Sequence, residues 1–148
     1  MVLILAIVSC KKESKYADYD LIQHGLSLKI KAPAEPEVNV TDLGIAKDIA
    51  IKKGEHFHIQ IISSAVSTYS VEDLVKEKRE EVEAGPFFSE IIEENPNGFV
   101  FEKKIDENNI NYDFRYIRIQ GDTEYSFQTG LLGKFSKEDA IDMFEAVQ

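Results

Sequence analysis

From residue 87 to residue 134 the chain repeats short apolar alternations separated by turn signals of two to four residues. Alternation with period two places one set of side chains on one face of a strand. Turns that short join antiparallel neighbours, because parallel strands need a crossover of a dozen or more residues. Residues 87–94, 99–105, 110–120 and 124–134 therefore read as four successive strands. They break at Asn95-Pro96-Asn97-Gly98, at residues 106–109 and at Gly121-Asp122. Within 110–120, Tyr112, Phe114 and Tyr116 share a face and are expected to pack under a helix. Arg115 and Arg118 are expected to face solvent.

The first half follows the same logic. Leu26, Leu28 and Ile30 alternate until Pro33 and Pro36, which cannot donate to a ladder. Residues 38–52 predict a strand pair bent near 41–44, and residues 56–64 alternate again with Phe57, Ile59 and Ile61 inward. The period then changes. Ser70 with Asp73 three residues on is a helix start, and Val71, Leu74, Val75 and Val82 follow at helical spacing until Gly85-Pro86. Ser136 with Asp139 repeats the signal before Ala140, Ile141, Met143, Phe144 and Val147. At 148 residues, 43% hydrophobic and 30% charged, the chain is one globular domain with enough bulk for its own core. The expected class is α+β: a mainly antiparallel sheet flanked by helices.

The amino terminus carries an address. Residues 2–8 are apolar, about 10 Å of helix, too short for a bilayer that needs about 20 apolar residues. Ile7-Val8-Ser9-Cys10 resembles a bacterial lipobox, in which the cysteine becomes the first mature residue and carries the acyl chains. Residues 1–9 are then expected to be a lipoprotein-type signal peptide; the lack of a basic residue before Cys10 departs from that pattern and suggests a truncated signal. Residues 10–18 are expected to be a polar tether and 19–148 a single domain. Cys10 is the only cysteine, so no intramolecular disulfide and no multi-cysteine metal centre can form.

Charge narrows the partners. The formal net charge of −10 gives no general attraction to phosphate backbones, so no nucleic-acid partner is expected. Residues 72–94 hold nine acids against three bases. Glu80, Glu81 and Glu83 in that segment are candidates for contact with a basic partner, set against the plainer reading of a solvated helix face with its own ion pairs. His56 and His58 would share a strand face and would need a third ligand to hold a metal; no metal or other cofactor is expected. Glu93 and Glu94 near Asp113 have no spacing that fixes a paired-carboxylate site. A nucleophile elbow, a phosphate loop and a dinucleotide glycine pattern are all missing, so no enzyme is expected.

The order of elements resembles the Mog/PsbP-like fold, shared by small Ran-binding proteins, photosystem extrinsic subunits and many bacterial lipoproteins. Four features carry the resemblance: the opening strand of residues 25–33, the middle helix of 70–83, the meander of 87–134 crossing Tyr112-Asp113-Phe114-Arg115-Tyr116, and the closing helix after residues 135–139. The resemblance implies a sheet flanked by helices and a role in binding or assembly, and brings no catalytic residues with it. The expectation is a lipid-anchored protein of the bacterial cell envelope, facing the periplasm or exterior. Its non-catalytic domain would bind a protein partner there. The alternative is a small-ligand or metal-binding lipoprotein with a pocket under the tyrosine-rich strand and, as possible ligands, His56 and His58.

Overall fold

The structure is a computed structural model that describes residues 14–148. Its centre is a seven-stranded, wholly antiparallel sheet in the order β3-β4-β5-β9-β8-β7-β6. The strands are β3 (Glu37–Asp42), β4 (Ala46–Lys53), β5 (Phe57–Ala65), β6 (Phe88–Asn95), β7 (Gly98–Asp106), β8 (Asn109–Gln120) and β9 (Thr123–Thr129). A separate hairpin pairs β1 (Ala17–Asp20) with β2 (Lys29–Ala32) around a 3-10 turn at Ile22–His24. The two helices are α1 (Val71–Glu83) and α2 (Lys137–Ala146). The α+β class with a mainly antiparallel sheet is thus as the alternation and turns predict.

Both helix starts work as read. The Ser70 hydroxyl accepts from Asp73 N at 3.2 Å. Ser136 and Asp139 form a reciprocal box, Asp139 N to Ser136 Oγ at 3.1 Å and Ser136 N to Asp139 Oδ2 at 3.1 Å. These bonds satisfy amide groups that a helix leaves orphaned at its first turn.

One face of the sheet makes the main core. Ile49, Ile51, Ile59, Ile61, Phe114 and Phe127 cluster there with Met143, Phe144 and Val147 at the end of the chain and with Leu21, Leu26, Leu28 and Ile30 around the hairpin. Phe144 meets the edges of Phe114 at 6.0 Å and Tyr116 at 5.9 Å, so these two of the three β8 aromatics are packed under a helix as predicted, while Tyr112 donates its hydroxyl to Glu102. From the other face α1 packs on β8, and Leu74, Phe99, Phe101 and Ile117 are buried there, outside the main cluster.

The structure corrects three expectations. β1 begins at Ala17, inside the stretch expected as tether; Lys15 already pairs with Asp142, and Tyr16 rests edge-on against Phe57 at 5.0 Å. Leu26 and Leu28 are buried, but the strand they were expected to open starts only at Lys29. The last strand ends at Thr129 rather than 134, because the chain turns out of the ladder at Gly130.

Phe144→Ala removes the ring that joins α2 to β8, and its site is 1% exposed. Unfolding in urea should show a loss of about 3–5 kcal/mol. A loss below about 1 kcal/mol would mean that α2 is not seated on this face.

Candidate functional site

The face bearing α1 is covered over β8 but shows a polar row farther along the sheet. Register pairs Ala50 with Gln60 and Gln60 with Gln128, so these side chains stand side by side. Gln128 Nε2 donates to Gln60 Oε1 at 2.8 Å, and Gln60 Nε2 donates to Asp48 Oδ2 at 3.0 Å. A hollow of about 260 Å³ lies over this row, lined by Asn39, Thr41, Asp48, His58 and Gln60 and walled by Leu131 and Leu132. The chain of amides and carboxylate is oriented by its own bonds, which leaves Asn39 and Thr41 as further donors and acceptors toward a polar ligand.

His58 joins this hollow to the turn beside it. Burial, reinforced by the positive charge of Lys52, pushes its imidazole below its ordinary pKa. The ring therefore stays neutral at neutral pH. Gly130 N donates to His58 O at 2.8 Å, and a Cβ on Gly130 would come within 2.1 Å of the ring. Only glycine lets the chain pass so close.

A second polar centre organises the same turn. Beyond the Arg115–Gln128 pair, the carboxylate of Asp113 takes over from the β8–β9 ladder. Its Oδ1 accepts from Thr129 N at 3.1 Å and Thr129 Oγ1 at 2.6 Å; its Oδ2 faces Arg115 at 3.0 Å and Lys103 at 3.3 Å. Burial opposes ionisation of Asp113, but Arg115, Lys103 and the hydrogen bonds outweigh it and hold the carboxyl below its usual range. Two positions earlier, Asn111 Oδ1 accepts from Phe135 N at 2.7 Å. Asp113 and Asn111 thereby pin both ends of the 130–135 segment.

The residues singled out from sequence are dispersed. His56 precedes β5 and reaches Asp139 of α2 at 3.2 Å, whereas His58 lies against Gly130, so the two rings have different neighbours and do not form the expected pair. Among the described residues no group of three or more His, Cys, Asp or Glu side chains is placed to hold a metal ion. Glu80, Glu81 and Glu83 are exposed on α1; Glu81 pairs with Lys78 at 3.2 Å and Glu83 with Arg79 at 2.9 Å. Arg79 also bonds Glu94, while Asp113 pairs with Arg115 and Lys103, so the two carboxylates have different partners. Cys10 lies outside the described residues.

The arginines differ from expectation. Arg115 lies over the Phe101 ring at 5.2 Å and pairs with Asp113. Arg118 donates to Lys29 O at 2.9 Å and also to Val147 O, tying the hairpin and the end of α2 to β8. Both are structural cations: Arg115 pairs within its own strand and rests on Phe101 of β7, whereas the partners of Arg118 lie far away in sequence. The polar row and the Asp113 centre were not anticipated either; register alone aligns Gln60 with Gln128, and no local motif marks it.

No protein family, curated protein or solved structure matches this chain. Among the described residues no helix is long and apolar enough to cross a membrane.

Asp113→Ala should cost about 3 kcal/mol, since it strips two cations of their shared buried partner. Asp113→Asn should cost less, because the amide oxygen still accepts from Thr129. A carboxyl held below its unfolded value stabilises the fold above that value, and the benefit disappears as pH falls through the folded one. The stability gap between the native protein and Asp113→Asn, measured by urea unfolding across acid pH, should therefore close at low pH. A gap constant with pH would show that the charge contributes nothing.

Proposed function

We propose that the chain is a lipid-anchored protein of the bacterial cell envelope. Its α+β domain, read as a Mog/PsbP-like sandwich, would bind or help assemble another envelope protein without catalysing a reaction. The observation that carries this reading is the lone Cys10 directly after Ser9 and the apolar residues 2–8. Acylation of that thiol and of the new terminal amine would supply more than one chain, which is what stable attachment requires. Support also comes from Lys15, five positions after Cys10, which is already fastened to the domain through Asp142. The anchor would thus hold a folded body near the bilayer. For the partner surface, the exposed Glu80, Glu81 and Glu83 on α1 favour a basic protein.

A second reading, small-ligand binding by the same anchored protein, is favoured by the hollow over Asp48 and Gln60, whose amide Gln128 holds in place. A rise in Tm specific to one polar ligand and lost in Gln60→Ala would move that reading ahead.

Cys10→Ala should shift the protein from the membrane fraction to the soluble one, and the acylated terminal peptide should vanish from its mass spectrum. Retention in the membrane would refute the anchor. Reversal of Glu80, Glu81 and Glu83 to lysine should lower crosslinking to the envelope partner at least tenfold, on the order of 1.4 kcal/mol. Unchanged crosslinking would remove α1 from the interface.

A further inference from the structure

The most exposed apolar side chains near the start of the described chain are Leu131 and Leu132, 77% and 99% exposed. They are not on a loose loop. Gly133 N donates to Gly130 O at 3.2 Å, which closes a tight turn with the two leucines at its apex. Both flanking glycines are needed: a Cβ would meet His58 at 2.1 Å from position 130 and Phe135 at 2.1 Å from position 133. Thr129 is held by Asp113 and Phe135 by Asn111, so the turn is clamped at each base. A rigid turn that presents two leucines to water is costly for a domain that meets nothing there.

Position in the fold names the occupant. Tyr16 packs on Phe57 and Gly130 bonds to His58, so the described chain begins at the same end of β5 as the leucine turn, with Lys15 five positions after Cys10. Five residues span at most about 17 Å. Lys52 and Lys134 are exposed and line, with Leu132 and Glu55, a hollow at that same end. Long lysine stems beside an apolar apex suit the headgroup layer, with the ammonium groups among phosphates and the stems along the acyl boundary. The exposed Ile45, by contrast, sits at the far end of the sheet, where Ala46 pairs with Ser64, about 20 Å along β5. With a net charge of −10, charge alone would not draw the domain to an anionic surface, so the contact depends on the leucines.

We propose that the turn of residues 130–133 is a second membrane contact, in which Leu131 and Leu132 insert into the interface of the bilayer that holds the anchor. The orientation rests on the proposed lipid anchor at Cys10. The contact would fix the domain with its hairpin tip at Ile45 pointing away from the membrane, rather than leave it swinging on a tether.

The chain has no tryptophan, so one introduced indole reports on one place. Full-length Leu132→Trp would be coupled through the Cys10 thiol to a maleimide headgroup lipid in phosphatidylcholine vesicles containing phosphatidylglycerol. Chemical coupling makes the outcome independent of whether Cys10 is acylated in the cell, which fractionation of Cys10→Ala tests separately. On coupling, indole emission should move to shorter wavelength and be quenched by brominated acyl chains. Ile45→Trp, coupled in the same way, should keep its aqueous emission. Leu131→Trp is the second reporter should Leu132→Trp lose its native melting transition. Aqueous emission at 131 and 132 on coupled vesicles would overturn the proposal. So would equal shifts at 45 and 132, which would mean non-specific adsorption. A concentration-dependent shift without vesicles would overturn it too and assign the turn to contact between copies of this chain.

Discussion

The buried carboxylate of Asp113 decides where the sheet stops being a sheet. It replaces the next rung between β8 and β9 with a side-chain contact to Thr129, in a place that Arg115, Lys103 and the hydrogen bonds it accepts make tolerable. A buried anion without partners would cost several kcal/mol, on the order of the whole stability margin of a small domain. The cations are therefore conditions for the turn that follows. Arg115 in turn lies on Phe101, so the ionic centre is seated on the apolar layer beneath α1. One ionic cluster thus couples the helix-covered face, the end of β9 and the exposed apex at Leu131 and Leu132.

The second organising element is β8. Its alternate residues face different worlds: Phe114 and Tyr116 take the ring of Phe144, while Asp113, Arg115 and Ile117 serve the opposite face. Arg118 then reaches out of the strand to carbonyls of Lys29 and Val147. The hairpin, α2 and the sheet are held in mutual position by one side chain as well as by apolar contact. That rigidity is what makes the two ends of the sheet distinct, with Tyr16 and the leucine turn at one end of β5 and the β3–β4 turn at Ile45 at the other.

The functional reading draws on different levels of description. Lipid attachment rests on ten residues of sequence; the acidic face rests on a helix whose exposed side was foreseeable from its period. The polar row of Asp48, Gln60 and Gln128 and the presentation of Leu131 and Leu132 arise only when β5 and β9 are laid side by side. On the proposed reading, a domain held close to a bilayer, touching it at one end and offering acids and amides elsewhere, would meet a partner in a defined orientation.

Local patterns sufficed for most elements. Alternation and turn residues predict β3 to β8 within one or two residues, since side-chain period and turn chemistry are properties of neighbours in sequence. Ser70 and Ser136 announce both helices for the same reason. What could not be read was anything depending on contact across the fold. Ala17 became a strand because β2 pairs with it. The end of β9 at Thr129 is set by Asp113, sixteen positions back. Arg115 and Arg118 look like solvent-facing charges until their partners arrive, and His56 and His58 look like a pair until α2 claims one and Gly130 the other. Sequence alone determined the periods, the caps and the lone cysteine. Tertiary structure decided which charges are buried and which leucines are bare, because burial depends on neighbours that chain order does not specify.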